Sequence, residues 1–220
     1  PLVGTVKASK PRDNCIEQYK LGAGRPVIGL QPGSRRSEIT RLAPVLGEAA
    51  RLIRKDDPRI QFVLPVAPGL ERQMLAALLP ADVDIQLIEG ESPYDVMQVC
   101  DAIVTASGTA TLHTALMHVP MVITYKVQPL SYAIFRRLIT IPHIGLVNIV
   151  AGKPVVRELI QSDATPEAIS TEVARLITDK RYRARILQGY DIVREKLGTS
   201  QGSSAIATLA HQLLTDTSRN

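Results

Sequence analysis

Ser107-Gly108-Thr109 is the stretch of this chain best suited to chemistry. These small residues follow two β-formers, Ile103 and Val104, in the run that opens at Asp101. A helical pattern comes next. So small a turn cannot fill a core, but it lets a ligand approach the backbone. A helix starting there turns free N–H groups and the positive end of its dipole toward the turn, which suits a phosphate. The hydroxyls can also cap that helix. An ordinary strand-to-helix turn with no ligand has the same spelling, so this stretch alone leaves both readings open.

Pro32-Gly33-Ser34-Arg35-Arg36 is a second turn of the kind. Gly33 and Ser34 offer backbone and hydroxyl donors, and the arginines offer forked donors that match phosphate. Taken singly, either arginine reads as a solvated helix entrance. Two other spellings carry less. Gly22-Ala23-Gly24 precedes a strand instead of following one, so it reads as a helix-ending loop. Asp82-Val83-Asp84 sits just before a strand, at the end opposite to ligands, and reads as a loop. No Walker A loop, Ser-His-Asp order or metal-ligand cluster is present, and His113, His118, His143 and His211 are scattered.

The elements that must position both turns alternate. Strands are expected at Pro26 to Gln31, Arg59 to Val66, Asp84 to Ile88, around Ile103-Val104, and at Met121 to Tyr125. Between them, helices are expected over Ser37 to Lys55, Gly69 to Leu79, Tyr94 to Cys100 and onward from Thr109, with a short one at Asn14 to Tyr19. In the first of these, Ile39, Leu42, Leu46, Ala49 and Ile53 trace one face. Such alternation predicts a parallel sheet covered on both faces, with ligands beyond the carboxyl ends of its strands. Ile144 to Val150 is a sixth apolar stretch, ending at Asn148 and Gly152. Pro129 to Ile141 is apolar with a basic edge at Arg136 and Arg137, and reads as a packed helix or as a membrane-facing one. The pattern then changes to helices alone: one capped by Thr165 before Pro166, then Arg181 to Leu197 and Ser204 to Leu214. The division expected is 1–165 for the alternating, ligand-binding domain and 166–220 for helices packing along its sheet or reaching a second domain.

Bulk properties narrow the partners. The 220 residues are 45% hydrophobic with a net charge of +5, which suits an anionic partner. The basic residues are dispersed and not interleaved with aromatics, so a nucleic-acid groove is not favoured. Cys15 and Cys100 stand far apart, as in a reduced cytosolic protein. No apolar run approaches the roughly 20 residues of a membrane-spanning helix. The chain opens on Pro1, which points to a piece of a longer protein.

Four stretches in order carry a family resemblance: Pro32 to Ile39, Ala106 to Leu112, Pro120-Met121-Val122 with Tyr125-Lys126, and Asn148 to Pro154. The set resembles the carboxyl-terminal half of lipid-A-disaccharide synthase, a family of inverting glycosyltransferases with the two-domain GT-B fold. The resemblance implies a Rossmann-like α/β half with a helical tail. It implies transfer of 2,3-diacylglucosamine from UDP-2,3-diacylglucosamine to 2,3-diacylglucosamine 1-phosphate, with UDP leaving and no metal or cofactor. It further implies a homodimer that is cytoplasmic and peripheral to the inner membrane of a Gram-negative-type bacterium.

By the same resemblance, Arg35 stabilises the leaving diphosphate. Gly33, Ser34, Ser107, Gly108, Thr109, His113 and Asn148 complete the nucleotide site, and the general base lies in the absent half. Asn148 resembles the family's Asn after its sixth strand. His113 stands where the family usually has Glu, and Val147 where it often has Pro. A neutral His can accept one ribose hydroxyl bond but not two. Two other readings are another GT-B enzyme, such as a UDP-sugar epimerase or a peptidoglycan-type transferase, and a non-catalytic nucleotide-binding or oligomerisation module.

Overall fold

Strands that are apolar on both faces need cover from both sides, and this chain supplies it. The computed structural model describes residues 2–127 and 143–198. Six strands form one parallel sheet: β1 (Val27–Gln31), β2 (Gln61–Pro65), β3 (Ile85–Ile88), β4 (Ala102–Ala106), β5 (Met121–Tyr125) and β6 (Glu158–Ile160). Their spatial order is β3-β2-β1-β4-β5-β6. The chain therefore runs outward from β1 to β3, returns to the other side of β1 as β4, and runs outward again. The reversal lies between β1 and β4, both buried along nearly their whole length.

The helices are α1 (Leu2–Thr5), α2 (Arg12–Gln18), α3 (Arg36–Asp56), α4 (Arg72–Ala76), α5 (Pro93–Met97), α6 (Thr109–Leu116), α7 (Leu146–Ala151), α8 (Pro166–Thr178) and α9 (Lys180–Leu197). The periodic face expected of α3 is the buried one, with Ile39, Leu42, Leu46, Ala49 and Ile53 all enclosed. Pro44 lies inside α3 and removes a single backbone donor without ending the helix. At α8 the Thr165 hydroxyl accepts the Ala168 amide at 3.2 Å and Pro166 opens the first turn, as the sequence leads one to expect. Helix α8 lies along α3 and reaches β4 and β5, while α9 packs on α6, α7 and α8. Ile169, Val173, Leu176, Ile186, Tyr190 and Val193 thus share one core with the sheet.

The sixth apolar stretch corrects one expectation. Ile144 to Val150 does not end in a strand but turns into α7. Val147, Asn148 and Ala151 are buried while Ile149 is 43% exposed, which is helical spacing, not strand alternation. Gly152, at φ 73°, closes the helix. The sixth strand is Glu158–Ile160, so Asn148 precedes that strand instead of following it. Pro129 to Ile141 and Ser204 to Leu214 lie outside the described residues.

Asp82 forms a two-pronged pair with Arg51, at 2.6 and 2.8 Å, which leaves Asp82-Val83-Asp84 a surface loop fastened to α3. Among the described residues no group of His, Cys, Asp and Glu has the geometry to hold a metal ion, and no helix is long and apolar enough to cross a membrane.

Candidate functional site

The two turns singled out in the sequence leave the sheet side by side. Gln31 pairs with Thr105 in the β1–β4 ladder, so both strands end at one level. Thr105, fully buried, donates its hydroxyl to the Gln31 side chain at 3.2 Å and floors the gap between them. Above this floor, at the reversal point of the sheet, opens a cavity of about 910 Å³. Open α/β sheets bind their ligands at this place.

Helices α3 and α6 both begin at the rim, and the first amides of a helix have no intrahelical partner. Their dipoles add a positive potential to the same cavity. Gly108 caps α6 at φ 151° and ψ −163°, a conformation closed to side chains, with open space where a Cβ would stand. Gly33, at φ 113°, is held differently. A Cβ there would meet the Glu38 carboxylate at 2.5 Å. Glu38 accepts the Arg35 amide at 3.4 Å and pairs with the Arg35 guanidinium at 3.1 Å, so it fixes the turn from within α3. Arg35 is the only lysine or arginine among the described residues that line the cavity, and its side chain is 81% exposed. Free guanidinium donors therefore remain for a ligand.

The opposite arm of the cavity is mostly apolar, with Glu91 at its edge. Pro65 ends β2, Val66 and Pro68 follow it, and Pro93 and Met97 come from α5. His113 faces this arm from α6, edge-on to the Tyr94 ring at 5.5 Å between centroids. Burial pushes the His113 pKa down from its ordinary 6.5, so the imidazole is neutral at pH 7. The unfolded chain binds that proton first, and the stability linked to His113 is complete above about pH 6.5 and lost as the pH falls below it. The Tm of the chain should accordingly drop between pH 7.5 and 5.5, and the drop should be smaller in His113→Gln. Equal drops would remove His113 as a cause.

Gly33, Ser34, Arg35, Ser107, Gly108, Thr109 and His113 all line this one cavity. Arg36 is exposed and is not among its lining residues. Two of the expected ligand contacts take other roles. Ser107 donates its hydroxyl to the Ile144 carbonyl at 2.9 Å, so it fastens the turn to the loop before α7. Asn148 is wholly buried, and its amide is spent within the protein. It donates at 2.8 Å to Val156 O and to Glu158 Oε1, and accepts from the amides of Val155 at 2.8 Å and Val156 at 3.0 Å. A nucleotide would have to break these bonds to reach it. In this structure the Asn148 side chain thus clasps α7 to the Val155–Glu158 segment.

Sequence reasoning missed Gln31 and Thr105 in the floor, Glu38 behind Gly33, and Glu158. Glu38 carried a signal, since an acidic residue at the third helical position marks a helix start. Glu158 carried no signal of its own beyond lying next to the β-formers Val155 and Val156.

A family model described as lipid-A-disaccharide synthetase matches residues 1–210. Lipid-A-disaccharide synthase of Geobacter sulfurreducens is 47% identical over 215 residues, covering 97% of this chain and 56% of that protein. The chain thus spans about half the length of the curated relatives it matches. Among solved structures, the C-terminal domain of a glycosyl transferase group 1 family protein from Francisella tularensis aligns with a TM-score of 0.56 at 16% identity, over 90% of this chain and 98% of that one. An Anabaena protein crystallised in complex with UDP-glucose aligns with a TM-score of 0.59 at 14% identity, over 99% of this chain and 55% of that one. At such identities the likeness concerns the fold, which is one Rossmann-like half of the GT-B kind.

Proposed function

The chain belongs to the lipid-A-disaccharide synthetase family, and we propose that it is the UDP-binding half of an inverting glycosyltransferase. The reaction passes a 2,3-diacylglucosamine unit from UDP-2,3-diacylglucosamine to 2,3-diacylglucosamine 1-phosphate and releases UDP. The observation that carries this reading is the single cavity at the sheet's reversal point, where two helix N-termini and the Arg35 guanidinium meet.

Departure of UDP builds negative charge on the diphosphate. The amides of Gly108, Thr109 and Ala110 at the start of α6 and the Arg35 guanidinium line one cavity and are donors suited to stabilising that charge as it develops. They are in place before reaction, so little reorganisation is needed. The Pro65–Pro68 arm, with Met97 and neutral His113, offers the apolar wall that a uracil ring and ribose need. His113 accepts one hydroxyl bond there. The acceptor site and the general base belong to the other half. Both substrates carry acyl chains, so the enzyme works at the cytoplasmic surface of the inner membrane, which the net charge of +5 favours. The homodimer rests on the family resemblance alone.

Calorimetric titration with UDP tests this assignment. The chain should bind UDP, and Arg35→Ala should weaken binding about 10- to 100-fold, the range for losing charge-assisted bonds to phosphate. A folded chain that leaves UDP unbound, or an Arg35→Ala chain that binds it undiminished, would overturn the assignment.

A further inference from the structure

Behind the cavity, and not among its lining residues, one carboxylate gathers the loop before α7. Glu158 lies on β6, opposite Ile123 of β5, and its side chain is 8% exposed. Its Oε2 accepts the Ile144 amide at 2.9 Å. Its Oε1 accepts the Gly145 amide at 3.1 Å and the Asn148 side chain at 2.8 Å. His143 Nδ1 stands 3.9 Å from the same oxygen. Four residues of one loop and helix start thus converge on a single side chain. Gly145 shows how close the approach is, because a Cβ there would run into Ile123 and come within 3.1 Å of Glu158.

The loop in turn reaches the phosphate turn. Ile144, whose amide Glu158 holds, presents its carbonyl to the Ser107 hydroxyl at 2.9 Å. Both Ile144 and Leu146 line the cavity. A continuous chain of hydrogen bonds therefore runs from Glu158 through Ile144 to Ser107, the residue directly before Gly108.

We infer that Glu158 is a positioning residue of the nucleotide site: it sets the 143–145 loop, and through the Ile144–Ser107 bond it aims the Gly108 to Ala110 amides at the diphosphate. The inference rests on the UDP reading above. It assigns Glu158 no contact with the ligand. It also gives Ser107 a mechanical part: the hydroxyl is donated to Ile144, so its worth lies in holding the turn.

Chemistry dictates the informative substitution. A glutamine at 158 keeps the size of glutamate but can accept with only one of its two ends. Either the Ile144 amide, or Gly145 and Asn148 together, must then face an NH2 group, donor against donor. The loop loses its anchor on one side while the core keeps its volume.

NMR titration of the chain with UDP and with uridine separates positioning from general damage, because only UDP uses the diphosphate cradle. Glu158→Gln and Ser107→Ala should each weaken UDP binding about tenfold and leave uridine binding within about twofold of the parent. The double variant should bind UDP about as weakly as Glu158→Gln alone, because both changes interrupt one chain of bonds. Either single variant binding UDP as the parent does would overturn the inference. So would an equal loss for UDP and uridine, or losses that multiply in the double variant. If Glu158→Gln does not fold, Ser107→Ala still decides, since it removes one hydroxyl and leaves the core intact. A parent chain that binds no UDP overturns the site assignment itself, an outcome distinct from a parent that binds and variants that do not differ from it.

Discussion

Asn148→Ala should cost about 4 kcal/mol of folding stability and lower Tm by roughly 10 °C. The loss comes from partners left behind. Two amides, Val155 and Val156, and the Val156 carbonyl would each lose a bond in a buried or half-buried place, and Glu158 Oε1 would keep only the Gly145 amide. Each such group costs about 1–3 kcal/mol, and repacking recovers only part. Asn148→Asp should be damaging in another way. It keeps the two accepted amide bonds but sets a carboxylate against Glu158, where the parent has a donor at 2.8 Å. Denaturant unfolding of the three proteins measures this directly. An asparagine whose business was the nucleotide would give the reverse result, an unchanged midpoint and a weakened UDP affinity.

The same residue shows where sequence stops informing. Asn148 lies in a stretch shared with the family, and its type suits a ligand as well as it suits a clasp. What decides is that α7 buries it and that Val155, Val156 and Glu158 surround it, and those partners become neighbours only when β6 pairs with β5. That strand is three residues long and half-buried at its ends, too short for a period to register. The parallel sheet was more legible, because β1, β2, β4 and β5 are apolar on both faces and helical periods separate them. The two turns were legible for a related reason. Their small residues could not belong to the core, and alternation placed them at carboxyl ends. Alternation set both turns on one edge of the sheet, and the family resemblance joined them in one site; that they are immediate neighbours follows from β4 returning beside β1, and the spacing of residues does not report strand order. Glu38 and Glu158 escaped notice for one physical reason, since each supports a site residue from behind and carries no ligand chemistry of its own.

Gly108→Ala should reduce UDP affinity at least tenfold while lowering stability by about 2 kcal/mol. Two effects combine. The backbone at φ 151° and ψ −163° is open to glycine alone, so a methyl group forces the turn toward another conformation. That turn carries the amides of the α6 start, and rotating them away from the cavity removes the cradle without touching any charged residue. The second effect is occupancy. Among the described residues, no atom beyond its own chain neighbours lies within 4 Å of the added Cβ, so the methyl group would project into open space in the wall of the cavity proposed for the diphosphate. Gly24 supplies the control. It too has a positive φ, 70°, and open space around it, but it sits in the loop before β1, at the other end of the strands from the cavity. Gly24→Ala should bring a comparable loss of stability and no change in UDP affinity. Calorimetry and thermal unfolding of the two variants together separate strain from recognition. If Gly24→Ala weakened UDP as much as Gly108→Ala, the loss would be one of stability, and the α6 turn would not be the phosphate cradle.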